Sequence, residues 1–179
     1  MSSLDRLIFV ELLHFYFRQP NKNITFVTGA NGSGKSSVLQ GLVLGLLADS
    51  KHTKRYSKLS DYIQKGQSAA TIQVTLNNEG PDAYKPEVYG KAITFQRTIR
   101  GAQNAVYILD EDKIVIQKNT KAAREEGQRI LKAFCINTDN PITILQQEQA
   151  KELLRVESPE TLYTFFKVIL IYNFEALCF

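Results

Sequence analysis

Residues 27 to 40 read VTGANGSGKSSVLQ, and within them Gly29 to Ser36 satisfy the pattern GxxxxGK[ST] in full. A phosphate group needs hydrogen-bond donors that come close without side-chain bulk. Glycines at 29, 32 and 34 let the backbone curl so that successive N–H groups point inward. The helix expected to open near Lys35 adds the positive end of its dipole. The Lys35 ammonium is long enough to reach the β- and γ-phosphates, and the Ser36 hydroxyl can fill one position of a Mg2+ shell. Gly29, Ala30, Asn31, Gly32, Ser33, Gly34, Lys35, Ser36 and Ser37 are therefore the candidate cradle for a nucleoside triphosphate with Mg2+, and no base-reading motif chooses ATP over GTP at this point.

Hydrolysis asks for more than a cradle. It needs an acid at the end of an apolar strand to hold the Mg2+ shell, and a group that orients the attacking water. Val106 to Glu111, VYILDE, offers a hydrophobic run ending in two acids. Yet Ile114-Val115-Ile116 resumes a strand pattern only three residues after Glu111. That spacing fits a tight turn and not the longer connection of a central parallel strand, so Asp110 and Glu111 read as an edge hairpin. The alternative is a self-contained small P-loop NTPase or phosphotransferase that uses Asp110 or Glu111 as its acid.

A second cluster could meet an anion. Lys51, His52, Lys54, Arg55 and Lys58 put five potential donors into eight residues, enough to track DNA phosphates. A solvated loop between helix and strand is the plainer reading of such a run. No base-reading helix accompanies it, so any DNA contact is expected to be non-specific and salt-sensitive.

The elements that must position these groups follow from periodicity. Leu7 to Leu13 and Ile24 to Thr28 are short apolar runs separated by Gln19-Pro20-Asn21-Lys22-Asn23, which predicts two strands, the second ending at the glycine loop. Val38, Leu39, Leu42, Val43, Leu46 and Leu47 recur at helical spacing until Asp49-Ser50. Alternation at Ala70, Ile72, Val74 and Leu76, then at Ile93, Phe95 and Ile99, then Ala105 to Leu109 and Lys113 to Gln117, predicts an antiparallel lobe. Thr120 is the expected N-cap of a helix with Ala123, Gly127, Ile130, Leu131 and Phe134 on one face. Pro141 to Leu145 reads as a strand and Glu148 to Arg155 as a helix, and Ser158-Pro159-Glu160 starts another.

Composition sets the outer limits. A chain of 179 residues with 44% hydrophobic residues can bury one ordinary core, and a net charge of +4 permits an anionic partner without requiring one. Cys135 and Cys178 stand alone, which predicts neither a disulfide framework nor a zinc site and fits a reducing compartment. The amino-terminal residues lack the pattern of a secretory signal, and no apolar run is long enough to span a bilayer.

Four segments together carry a resemblance: the glycine loop; Asp61 to Ala70; Leu76 to Lys85 with Val88-Tyr89-Gly90; and Asp139 to Glu148, DNPITILQQE. They resemble the amino-terminal half of the head of the structural maintenance of chromosomes (SMC) ATPases, most of all those of the eukaryotic sixth type. The resemblance implies an α/β fold, a P-loop NTPase half-domain of ABC and SMC-head type with an antiparallel β lobe, over residues 1–167. It implies that Gln147, with Gln146 beside it, is the Q-loop residue that contacts Mg2+ and the attacking water. It also implies that a carboxy-terminal half supplies the signature motif and the acids, so that this part alone is not hydrolytic. The partners implied are an SMC subunit of the fifth type with its accessory subunits, and DNA, on nuclear chromatin in DNA repair and recombination. Residues 168–179, VILIYNFEALCF, depart from the family, which continues there into a polar coiled coil.

Overall fold

A computed structural model describes residues 7–12, 15–18, 26–48, 58–64 and 66–138, together with 144, 145, 147, 150, 151, 158–160 and 163. The alternating segments in the middle of the chain pair as their pattern requires. Strands β1 (Leu7–Leu12), β2 (Phe15–Arg18), β3 (Ala70–Asn77), β4 (Ala92–Arg100), β5 (Gln103–Leu109) and β6 (Val115–Gln117) form one sheet in the order β2-β1-β3-β4-β5-β6. Every neighbouring pair is antiparallel. β4 and β5 are joined at Gly101-Ala102, with Gly101 at φ 56, where a residue without Cβ costs least.

One face of the sheet is the core. Ile72, Val74 and Leu76 of β3, Ile93, Phe95 and Ile99 of β4, and Val106 and Ile108 of β5 are buried on it. On the other face the register sets like against like across β3 and β4. Gln73 Nε2 donates to Gln96 Oε1 at 2.7 Å, and the Thr75 and Thr94 hydroxyls lie 2.9 Å apart, with Lys113 Nζ donating to both.

The helices that accompany the sheet and are fully described are α1 (Lys35–Gly45), the single turn α2 (Pro86–Tyr89) and α3 (Thr120–Ala133). α1 lies on β3 so closely that a Cβ at Gly45 would press into Val74 Cγ2 and come to 3.0 Å from Ile72 Cγ2. α3 turns Ala123, Gly127, Ile130 and Leu131 inward, with Phe134 following, as its spacing predicts. Its N-cap, however, is Asn119 and not Thr120. Asn119 Oδ1 accepts from the Lys121 and Ala122 amides at 2.9 and 3.3 Å, while the Thr120 hydroxyl is turned toward the Val106 amide at 3.4 Å.

Two strand expectations need correction. The run Leu7 to Leu13 does not stand alone: β1 ends at Leu12 and a second strand, β2, follows from Phe15 and folds back on it. Ile24 to Thr28 does not yield a strand in its described part, since residues 26–30 have no regular structure. Phe26 is 86% exposed and Val27 44%, and among the described residues no strand lies beside them. An isolated extended segment has unpaired backbone donors and acceptors, which water satisfies when no neighbouring strand does.

Of the remaining expected elements, Pro141 to Thr143 lie outside the described residues, and Ile144 and Leu145 are not in a strand. Gln147, Ala150 and Lys151 have helical backbone, as do Pro159, Glu160 and Tyr163 after Ser158. The apolar stretch 168–179 lies outside the described residues.

Candidate functional site: a phosphate cradle at the start of α1

The loop that leads into α1 is built from backbone. Gly32 has φ 84, and Gly34, the N-cap residue, has φ 95, both in the left-handed region where glycine is favoured. The loop closes on itself through the Ser33 amide, which donates to the Ala30 carbonyl at 3.2 Å. At Gly29 a Cβ would sit 2.6 Å from Ser33 Oγ, so a side chain there would have to turn the serine hydroxyl aside. Lys35 Nζ folds over this loop and donates to the carbonyls of Gly29 and Ala30 at 2.7 and 2.8 Å. The ammonium is thus held over the mouth of the loop by two neutral acceptors, and among the described residues no carboxylate pairs with it.

The amino end of α1 contrasts with that of α3. Asn119 caps α3 with its own side chain, whereas α1 has a glycine N-cap, no side-chain cap and no acid in its first turn. First-turn N–H groups lacking such a cap, beside a lysine and two serines, form the donor set that suits a phosphate chain. Ser36 is exposed at this end and Ser37 half-buried. The residues present therefore fit a nucleoside triphosphate with Mg2+: backbone N–H groups and Lys35 for the phosphates, and the Ser36 hydroxyl for the metal.

The structure brings the glycine-loop residues Gly29 to Ser37 together at the start of α1. Ile144, three residues before the Q-loop candidate Gln147, packs with Val43, Ala48 and Leu39 of the α1 region. Gln147 itself is exposed, and Gln146 lies outside the described residues. Lys58 is exposed at the start of a short 3-10 turn, Leu59–Tyr62. Lys51, His52, Lys54 and Arg55 lie outside the described residues.

β5 and β6 pair antiparallel across this turn, as the hairpin reading expects, and both acids of the VYILDE run accept backbone hydrogen bonds. Asp110 Oδ1 accepts from the amides of Asp112 and Ile114 at 3.0 and 2.8 Å. Glu111 Oε2 accepts from the Lys91 amide at 2.8 Å, and its carboxylate fills the space that a Cβ on Gly90 would need.

A polar cluster that sequence reasoning missed centres on Glu126 of α3. Its Oε1 accepts from Lys85 Nζ at 2.7 Å, the Tyr84 hydroxyl at 3.1 Å and the Tyr89 hydroxyl at 3.3 Å, and Oε2 accepts from Arg129 at 2.9 Å. Burial alone would raise the Glu126 carboxyl, but the hydrogen bonds from Lys85, Arg129 and Tyr84 outweigh it and hold the group below its ordinary range. Burial, and then the nearby Glu126 charge, push the Tyr89 phenol up. The sequence signals were an acid at an inward position of α3 and Arg129 one turn on; Lys85, Tyr84 and Tyr89 lie some forty positions away. The cluster ties the Asn78–Gly90 connection to α3, a connection further closed by Asn78 Nδ2 donating to the carbonyls of Tyr84 and Gly90. It is a fastening.

Comparison with known proteins bears on the family and the fold. Residues 7–173 match the family described as AAA domain. Structural maintenance of chromosomes protein 6 of Takifugu rubripes is 40% identical over 144 residues, and that of Homo sapiens 39% over 144 residues. That of Schizosaccharomyces pombe is 38% identical over 143 residues. Each match covers 80% of this chain, while the chain spans only 12–13% of the length of these curated relatives. Among solved structures, the Smc head bound to the C-winged helix domain of ScpA superposes with a TM-score of 0.65 at 23% identity, covering 86% of this chain and 47% of that one. The chain belongs to the AAA domain family, and its fold and relatives are those of the amino-terminal half of an SMC head.

Proposed function

We propose that this chain supplies the ATP cradle of an SMC-type ATPase of the sixth kind, with Gly29 to Ser37 holding the phosphates and Ser36 and Gln147 contributing to the Mg2+ shell. The observation that carries this reading is the α1 amino end, where an uncapped first turn and the Lys35 ammonium converge on the glycine loop. Bound ATP with Mg2+ would supply the reactive phosphoanhydride. The chain's own part is to orient the phosphates through backbone N–H groups, to offset their charge with Lys35, and to offer the Ser36 hydroxyl to the metal.

The acid required for hydrolysis is not Asp110 or Glu111. Both carboxylates already accept backbone hydrogen bonds within the β5–β6 turn or beside it, which supports the half-site over the self-contained phosphotransferase. Turnover then depends on a complementary half and a partner head, an SMC subunit of the fifth type with its accessory subunits. The winged-helix partner in the related head structure accords with such an assembly. Non-specific DNA contact through Lys51, Lys54, Arg55 and Lys58, and a place on nuclear chromatin in DNA repair, complete the reading, with residues 1–167 forming the half-head and 168–179 a separate apolar tail.

Equilibrium ATP binding with Mg2+ and steady-state turnover, measured on the purified 179-residue chain beside Lys35→Ala, test it. Binding that is lost in Lys35→Ala, without turnover, is the expected result. Turnover abolished by Lys35→Ala would place the catalytic acid inside this chain and overturn the half-site. Equal binding by both proteins would overturn the cradle.

A further inference from the structure

We propose that Arg97 is a positioning residue for the phosphate-binding loop, acting from the far end of α1; this rests on the nucleotide reading of that loop. Arg97 lies in the middle of β4, opposite Ile72 of β3 and Val106 of β5, and only 1% of its surface is exposed. An arginine that is charged at any working pH does not remain among Ile, Val and Phe side chains unless its donors are matched. Nη1 donates to the carbonyls of Leu44 and Ala48 at 2.9 and 2.7 Å, and Nε donates to Asn104 Oδ1 on β5 at 2.9 Å.

The first two acceptors belong to the end of α1. That end closes as a Schellman turn, with the Ala48 amide on the Val43 carbonyl and the Leu47 amide on the Leu44 carbonyl, and with Leu47 at φ 69. α1 has no basic residue in its own last turn. The guanidinium of β4 therefore supplies the positive charge that favours a helix carboxyl end. Two further restraints act at the same end: Gly45 in close approach to β3, and Leu47 packed against Gly127 of α3.

All of these anchors are at the carboxyl end, whereas the loop they serve is at the amino end, exposed from Phe26 to Ser33. An 11-residue helix is about 16 Å long, so a tilt of about 5° around the anchored end moves the first-turn amides by about 1.4 Å. A shift of about 1 Å is enough to spoil a bound geometry. A fork with two donors on one helix end and a third on a neighbouring strand fixes direction as well as distance, and a lysine ammonium does not.

The test compares wild type, Arg97→Lys, Arg97→Met and Asn104→Ala in the full chain, by amide hydrogen exchange without nucleotide and by equilibrium binding of ATP with Mg2+. The expected result for Arg97→Met is faster exchange at residues 34–38 while the β3 and β4 amides stay protected. Its ATP dissociation constant should rise about tenfold, the scale seen when a supporting contact behind a ligating group is lost. Arg97→Lys should fall between Arg97→Met and wild type. Folded Arg97 variants with wild-type exchange at 34–38 and wild-type affinity would overturn the proposal. Where Arg97→Met fails to fold, Asn104→Ala decides: faster exchange at 34–38 supports the coupling and unchanged exchange refutes it. A wild-type chain that binds no ATP would refute the nucleotide reading alone, and the exchange comparison would still decide the role of Arg97.

Discussion

Replacing Gly127 with alanine sets two well-characterised effects against each other. In an exposed helix interior, Gly→Ala stabilises by about 1 kcal/mol, because alanine restricts the unfolded chain and favours helix. Gly127 is not exposed. A Cβ there would overlap Leu47 Cδ1 and stand 2.9 Å from Phe95 Cε1 and 3.6 Å from Ile108 Cδ1. Phe95 and Ile108 are fully buried and cannot retreat, and Leu47 is held by a left-handed backbone at the end of α1. Overpacking of this kind costs about 1–3 kcal/mol, so the steric effect should win by about 1 kcal/mol. With a urea slope of about 2 kcal/mol per molar, the unfolding midpoint should fall by about 0.5 M. Gln128→Ala, one residue along on the exposed side of α3, is the control and should leave the midpoint nearly unchanged. Adding Leu47→Ala to Gly127→Ala should recover part of the loss, since it removes the nearest obstacle. A midpoint for Gly127→Ala equal to or above wild type would refute the close approach of α3 to the end of α1.

Three further outcomes can be checked on the same protein. Because Glu126 is held below its ordinary value of 4.5, its contribution is present above that pH and is lost as pH falls through the depressed value. The denaturation midpoint of wild type should accordingly drop more steeply between pH 6 and 3 than that of Glu126→Gln, and parallel profiles would count against the cluster. Asp110→Ala should cost about 1 kcal/mol by removing the acceptor for the Asp112 and Ile114 amides, with ATP affinity unchanged; a large loss of nucleotide binding would mean the acid faces the cradle. Asn119→Ala should cost about 1 kcal/mol while Thr120→Ala costs clearly less, and the reverse order in thermal melts would return the cap to Thr120.

What the sequence revealed depended on how local the determinant was. The cradle was legible because glycine spacing, a following apolar helix and Lys35 all act within ten residues. β3, β4 and the β5–β6 turn were legible because alternation marks one buried face, and three residues after Glu111 leave room only for a tight turn. β2 was hidden because LIFVELLHFYFR is a mostly apolar stretch without Gly or Pro to mark where it reverses. The segment Ile24 to Thr28 has strand-forming residues, but its pairing depends on a neighbour that is absent among the described residues. Arg97 was invisible because TFQRTI reads as ordinary alternation with one polar residue out of place, and its acceptors lie some fifty positions away at Leu44 and Ala48. Asn and Thr are both good cap types, and the two are separated by where their oxygens point, Asn119 Oδ1 to the first-turn amides and the Thr120 hydroxyl to Val106.

The strand order also has a consequence for how the chain acquires its structure. β3, β4, β5 and β6 are neighbours in the sheet in the same order in which they leave the ribosome, and β4 meets β5 across a two-residue reversal at Gly101-Ala102. β1 joins β3 only after the whole intervening chain, glycine loop and α1 included, has been looped out. Closing that loop costs entropy before any pairing rewards it, so the meander with α3 is the natural nucleus and β1 the late arrival. Core substitutions in β4 or β5 should slow folding, whereas substitutions in β1 should chiefly speed unfolding. The glycine loop lies inside the stretch that the β1–β3 pairing closes, so its setting should form only once β1 has joined β3.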